Sequence, residues 1–234
     1  MSEWAMKRFW KAVSVEELDG GFEVLLDGRK VKTPAKRSLV LPTRRIADEI
    51  AGEWDAQVET VDPTSMPWTR SANAALDKVA TQRIEVASHL AEYAGTDLLS
   101  YRAAGPQELI DRQAENWDPL LFWLGQRFDV RLAVTSGVMP IQQTSDTLDR
   151  LAETMTPMTD FQLTAFHDLV TLTGSYTLAL AATEDFAAPE RIWQLSRLDE
   201  EFQIEQWGAD EEATEHAAIK RSAFLHAHQF FHAA

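Results

Sequence analysis

Val24-Leu25-Leu26-Asp27-Gly28-Arg29-Lys30-Val31-Lys32-Thr33 decides the first part of the fold. An Asp-Gly pair between Val-Leu-Leu and Arg-Lys-Val-Lys-Thr predicts a β-hairpin, because a type I′ turn needs positive φ at both central positions. Outward from it, residues 9–15 are apolar and β-branched enough for a strand, and Asp19-Gly20-Gly21 reads as a turn. Residues 22–26 and 29–33 supply the two hairpin strands, and residues 38–41 a further one bounded by Pro34 and Pro42. The expectation is a small antiparallel sheet with a basic rim.

From Thr43 the hydrophobic period changes from 2 to 3.6. Thr43 is placed to cap a helix carrying Ile46, Ile50 and Trp54, each four residues apart. Asp62-Pro63 and Met66-Pro67 break the chain. A long helix is then expected, with an imperfect stripe of Ala72, Ala75, Leu76, Val79, Ile84 and Leu90. Residues 97–102 read as extended, and Gly105-Pro106 opens a helix through Trp117, Leu121 and Leu124. Residues 131–135 suit an edge strand, and helices are expected at about 146–156, 159–182, 189–207 and 210–230. The fold class is α+β: a small N-terminal antiparallel β domain with a connecting helix, residues 1–60, followed by a larger all-helical domain, residues 61–234.

Composition narrows the function. Hydrophobic residues make up 45% and charged residues 25% of the 234, the ordinary globular balance. No cysteine is present, which excludes disulfides, thiolate ligands and cysteine nucleophiles. Up to Met66 there are 10 Lys and Arg against 12 Asp and Glu; beyond it there are 12 against 25, so the excess of 13 negative charges lies there. Such a field repels phosphate backbones and anionic lipid, so nucleic acid and membrane insertion are not expected. Met1 to Lys11 lacks the apolar stretch of a secretory signal. The apolar residues 163–182 are interrupted by His167, Asp168 and Gly174, as in a core helix. A cytoplasmic protein is the expectation.

Little suggests catalysis. Gly20-Gly21 lies in a hairpin turn with no helix after it, so it is not a phosphate loop. Thr173-Gly174-Ser175-Tyr176 resembles a nucleophile elbow for two residues but lies within a helical pattern, where a close helix contact explains it. His226, His228 and His232 crowd the C-terminus without an acidic residue after His216, which reads as a frayed surface tail and not a metal site. His89 and His167 stand alone in helical stripes, where a partly buried, hydrogen-bonded role is the common one. No cofactor is expected.

Two features resist a bland account. On a helix through residues 196–207, Leu195, Leu198 and Phe202 share one side, and Asp199 falls about 40° from Leu195 at the stripe's edge. A carboxylate there needs an internal partner or another protein; Arg197 is too near in sequence to face it. Eight Trp are also unusual. Most of them, Trp4, Trp10, Trp54, Trp68, Trp117, Trp123 and Trp193, suit a core. Trp207, before the helix stop Gly208, is the candidate for exposure.

Several strings in collinear order resemble the Atp12 family. They are Lys7-Arg8-Phe9-Trp10-Lys11, Leu25-Leu26-Asp27-Gly28-Arg29 with Val31-Lys32-Thr33-Pro34, and Glu53-Trp54-Asp55-Ala56-Gln57. Met66-Pro67 with Thr69-Arg70, Asp97-Leu98-Leu99-Ser100-Tyr101-Arg102, Arg112-Gln113 and Trp117-Asp118-Pro119-Leu120 follow. Leu172-Thr173-Gly174-Ser175 and Ser196-Arg197-Leu198-Asp199-Glu200-Glu201 close the set. The resemblance implies a non-enzymatic assembly chaperone, of β domain plus helical domain, that binds the free α subunit of F1 ATP synthase and shields its interface until the β subunit pairs. It places Asp199 at the family's important acidic position, where Glu is also found; its neighbours Glu200, Glu201, Glu205 and Trp207 are expected as further partner-binding residues. Two other classes stay open: a small-molecule hydrolase using the Asp199 and Glu205 carboxylates, which requires a concave pocket and a raised carboxyl pKa, and a generic acidic adaptor.

Overall fold

The computed structural model describes residues 7–137 and 139–234. Trp4 lies outside them. The chain divides into two compact units, Met1–Arg83 with Thr159–Ala165 and Gln229–Ala234, and Ile84–Met158 with Phe166–His228.

The first unit holds a three-stranded antiparallel sheet in the order β1 (Val13–Leu18), β2 (Gly21–Leu26), β3 (Arg29–Lys30). The turn joining β2 to β3 has φ of 48° at Asp27 and 76° at Gly28, as the I′ reading requires. Asp27 also accepts the backbone N–H groups of Lys11 and Ala12, which hold its carboxyl below the usual range. Gly21 is fixed by close approach: a Cβ there would meet the Leu41 carbonyl oxygen at 2.5 Å. That approach is the Phe22–Leu41 bridge, so residues 38–41 pair through isolated bridges and do not form a continuous strand.

Helix α1 (Arg44–Asp55) starts where Thr43 Oγ1 accepts the Ile46 N–H at 3.3 Å, and buries Ile46, Ala47, Ile50 and Trp54. Helix α2 (Pro67–Asp77) has no cap from Met66. Its cap comes from α1: the Glu53 carboxylate accepts Trp68 N–H at 2.6 Å and Thr69 N–H at 2.8 Å. A negative charge at a helix N-terminus satisfies orphan donors and complements the dipole, so this contact fixes α1 against α2. Around them lies a core of Trp10, Val24, Leu26, Leu41, Ile46, Ile50, Trp54 and Trp68. Trp10 and Trp54 meet edge-on with centroids 5.3 Å apart. Phe161 and Phe230 stack at 6.1 Å in the same core, and Thr43 donates to the Ala233 carbonyl at 2.6 Å. The C-terminal segment is therefore an ordered, packed helix end. A frayed tail is overturned because Phe230 and Ala233 are core residues.

The second unit contains α3 (Arg83–Gly95), α4 (Gln107–Phe128), α5 (Ser145–Glu153), α7 (Tyr176–Thr183), α8 (Pro189–Ser196) and α9 (Leu198–Trp207). It also takes the later part of α6 (Asp160–Thr173) and most of α10 (Glu211–Ala233). The extended residues 97–102 and the proposed edge strand reduce to a two-residue parallel pair, β4 (Tyr101–Arg102) with β5 (Thr135–Ser136). Helix α7 is buried on all sides from Tyr176 to Ala182, which explains why its sequence shows no amphipathic period.

Three expected long helices are broken. The stripe after Met66 ends at Asp77, passes through a 3-10 turn at Val79–Thr81 and resumes as α3; Ile84 is 83% exposed. The segment 159–182 breaks at Gly174, whose φ of 66° ends α6, so Ser175 does not lie within a helix but caps α7. The segment 189–207 breaks at Arg197, with φ −107° and ψ 10°. Apolar residues recur on both sides of all three breaks in the sequence, so period alone could not locate them. Among the described residues no helix is long and apolar enough to cross a membrane.

Candidate functional site

Helix α9 carries every residue singled out for partner binding, and its neighbours decide what each can do. Its first turn holds Asp199, Glu200 and Glu201 at the positive end of the helix dipole. Leu198 and Phe202 are buried and anchor the helix.

Asp199 has its internal partner on α4. Gln113 Nε2 donates to Asp199 Oδ1 at 2.7 Å, while Gln113 Oε1 accepts the Ala103 N–H at 2.8 Å. The amide is only 1% exposed, and using both ends fixes which end faces the carboxylate. Gln113 lies in register with the buried Trp117, Leu120 and Leu124 of α4. A glutamine at a core position of an apolar stripe was the available signal for this contact; the pair Arg112-Gln113 was visible only as part of a string.

Asp199 and Glu200 line a cleft of about 300 Å³ together with Leu98, Trp117, Leu172, Gly174, Arg197 and Lys220. One wall is set by Asp97, which is fully buried. Asp97 Oδ1 accepts Leu99 N–H at 2.9 Å and Ser175 Oγ–H at 2.8 Å; Oδ2 accepts Thr177 N–H at 2.8 Å and Thr177 Oγ1–H at 2.9 Å. Burial pushes this carboxyl above its usual range, and the four donors oppose that shift. Leu98 N–H donates to the Gly174 carbonyl at 3.2 Å, tying the two wall segments together.

The remaining carboxylates differ from Asp199. Glu200 pairs with Arg197 at 3.2 Å. Partial desolvation raises the carboxyl of Glu201, with Arg197 opposing. Glu205 is held by Arg112 of α4 in a two-pronged fork, both bonds 2.8 Å, and Arg112 also lies 5.1 Å over the Phe202 ring. The fork lowers the Glu205 carboxyl and raises the Arg112 guanidinium. Glu205 therefore already has a cation and does not line the cleft. Trp207 is 80% exposed at the end of α9, where Gly208 N–H donates to the Ile204 carbonyl at 2.8 Å.

The other Trp follow the core reading: Trp10, Trp54, Trp68, Trp117 and Trp193 are buried, and Trp123 is half-buried. His167 is half-buried beside Asp168 at 3.2 Å, whereas the His89 side chain is 58% exposed near Glu92.

A small N-terminal antiparallel sheet followed by helices is the architecture of a class of assembly chaperones. Residues 7–125 match the family described as ATP12 chaperone protein. Mitochondrial protein atp12 of Schizosaccharomyces pombe is 27% identical over 223 residues, covering 90% of this chain and 77% of that protein. Atp12 from Paracoccus denitrificans is 46% identical, with a TM-score of 0.94 over 98% of this chain and 99% of that one. The D-to-K mutant of P. denitrificans Atp12p gives the same identity and TM-score over 99% of each chain. The chain belongs to the ATP12 chaperone family.

Proposed function

We propose that this chaperone binds the free α subunit of F1 ATP synthase and shields its interface until the β subunit pairs with it. An orphan subunit of a ring exposes apolar interface that drives aggregation, and capping it needs a surface that binds and then yields. The observation that carries the reading is Asp199, a carboxylate held from below by a buried amide and open to a cleft on the acidic unit. Glu200, Glu201 and Trp207 flank it on the same helix. Glu205 contributes by fixing α9 to α4 through Arg112. The compartment is the cytoplasm.

The hydrolase alternative gains a concave cleft containing Asp199 but loses its second carboxylate. Acid/base work asks for a carboxyl raised toward neutrality, and Arg112 moves Glu205 the other way. Pull-down of separately purified F1 α and β subunits tests the proposal: selective retention of α is expected, and retention of β alone or of neither overturns it.

The amide under Asp199 makes a separate prediction. Gln113→Leu removes the donor to Asp199 and is expected to weaken capture of α about tenfold, near 1.4 kcal/mol. Combined with Asp199→Ala, the two losses should fall well short of additive, because the part of the amide's effect that runs through Asp199 is already gone. Isothermal titration of the four proteins gives the cycle. Strict additivity would assign Gln113 to the fold alone.

A further inference from the structure

Helix α9 has an outer face that shares only Glu200 with the Asp199 cleft. At 100° per residue, Glu200, Ile204 and Trp207 lie within about 60° of one another, opposite the buried Phe202. Ile204 is 39% exposed and Trp207 80% exposed, although Leu198 and Phe202 on the same helix are 6% and 4% exposed. An aliphatic and an indole side by side in water form an apolar ridge, and exposed Trp is among the commonest anchors of protein interfaces.

The charge around the ridge says what can cover it. From Leu198 to Glu215 the chain has eight carboxylates and no Lys or Arg. Arg197 and Arg112, from outside that stretch, match Glu200 and Glu205. The rest leave the ridge in a negative field, to which Glu211, Glu212 and Glu215 in the first turns of α10 add. Nucleic acid and anionic lipid are repelled by it. A second copy bringing the same ridge would set like charges face to face, which opposes an isologous dimer. What remains is a protein surface of opposite charge.

We infer that the Ile204–Trp207 ridge docks into an apolar slot ringed by lysine and arginine on the captured subunit, with Trp207 as the anchor and the surrounding carboxylates as the steering field. This rests on the chaperone reading above and adds the chemistry of the partner's surface to it. The two parts have separable kinetic signatures: burial of an anchor sets the dissociation rate, and long-range charge sets the association rate.

The test is binding kinetics on immobilised F1 α subunit. Trp207→Ala is expected to raise the dissociation rate about tenfold and leave the association rate within about twofold. Replacing Glu211, Glu212 and Glu215 together by Lys is expected to lower the association rate about tenfold at low ionic strength, with the difference closing near 0.5 M salt. All three carboxylates and Trp207 are exposed, so circular dichroism should show both variants folded. Wild-type capture of α together with unchanged dissociation for Trp207→Ala overturns the anchor while leaving the chaperone reading intact. An association rate indifferent to salt and to the Lys variant overturns the basic ring. A wild-type dimer in sedimentation that Trp207→Ala dissolves would make the occupant a second copy. Failure of the wild type to bind α removes the chaperone reading and this inference together.

Discussion

Asp97→Asn lowers the unfolding midpoint by about 6–12 °C, the shift that a loss of about 3 kcal/mol produces in a chain of this size. The size of the effect follows from which donors meet which oxygen. Oδ1 accepts the Leu99 N–H and Oδ2 accepts the Thr177 N–H, so each oxygen faces one backbone donor that cannot rotate away. An asparagine offers one oxygen and one NH2 group. Whichever way it turns, a donor faces a donor in a site with no exposure to water. The hydroxyls of Ser175 and Thr177 can reorient, so Ser175→Ala and Thr177→Val should cost about 1 kcal/mol each. Thermal melts followed by circular dichroism give the order: the Asn variant lowest, the hydroxyl deletions between it and the wild type. An Asn variant within about 2 °C of the wild type would mean that the backbone donors do not govern this site. The same substitution should weaken capture of α, because Leu98 and Gly174 on either side of the network line the cleft.

The β2–β3 hairpin was legible because its signal is local: two turn residues with positive φ between two apolar runs. Helix α1 was legible for a similar reason, with a cap and a stripe inside twelve residues. The breaks at Gly174 and Arg197 were hidden because apolar residues recur on both sides of each one. Gly174 acts through its φ of 66° and Ser175 through a carboxylate 78 positions earlier, and neither is a feature of the local pattern. The cap of α2 was hidden for the same reason, since Met66 offers no side-chain acceptor and Glu53 supplies it from the preceding helix.

The candidate site divides along the same line. The position of Asp199 at the edge of a buried stripe, and the need for a partner other than Arg197, could be read from a helical projection. The exposed Trp207 before a glycine stop could also be read. The partners themselves could not, because Gln113 and Arg112 lie 86 and 93 residues from the carboxylates they hold. They are neighbours on α4, yet they hold different carboxylates of α9, so adjacent residues take different tasks. Gln113 orients a carboxylate that remains open to the cleft, and Arg112 neutralises one and clamps the helix. A count of acidic residues treats Asp199 and Glu205 alike; their partners make them unlike.

That distinction gives the largest expected effect on binding: Asp199→Lys weakens capture of α at least about a hundredfold, near 2.8 kcal/mol, with the fold retained. Asp199 is half-buried at the rim of an open cleft, so a lysine can extend its ammonium into water, and the backbone of α9 need not move. What changes is the local charge. The cleft carries Arg197 and Lys220 against Asp199 and Glu200, and exchanging Asp199 for a third cation turns this balance into a positive excess that repels an approaching basic surface. The amide beneath cannot adapt. Turning Gln113 to offer its oxygen to the new ammonium would set its NH2 against the Ala103 N–H that Oε1 now accepts. Asp199→Asn separates the two effects: its side-chain oxygen still accepts from Gln113, so only the charge is lost and an intermediate weakening of about tenfold is expected. The readout is suppression of light scattering by denatured α subunit as it is diluted, with Asp199→Asn falling between wild type and Asp199→Lys. A folded Asp199→Lys protein that suppresses aggregation as well as the wild type would move the binding surface away from this cleft. A graded loss across the series, with unchanged melting curves, would place the working charge at Asp199 and leave Glu205 its structural task.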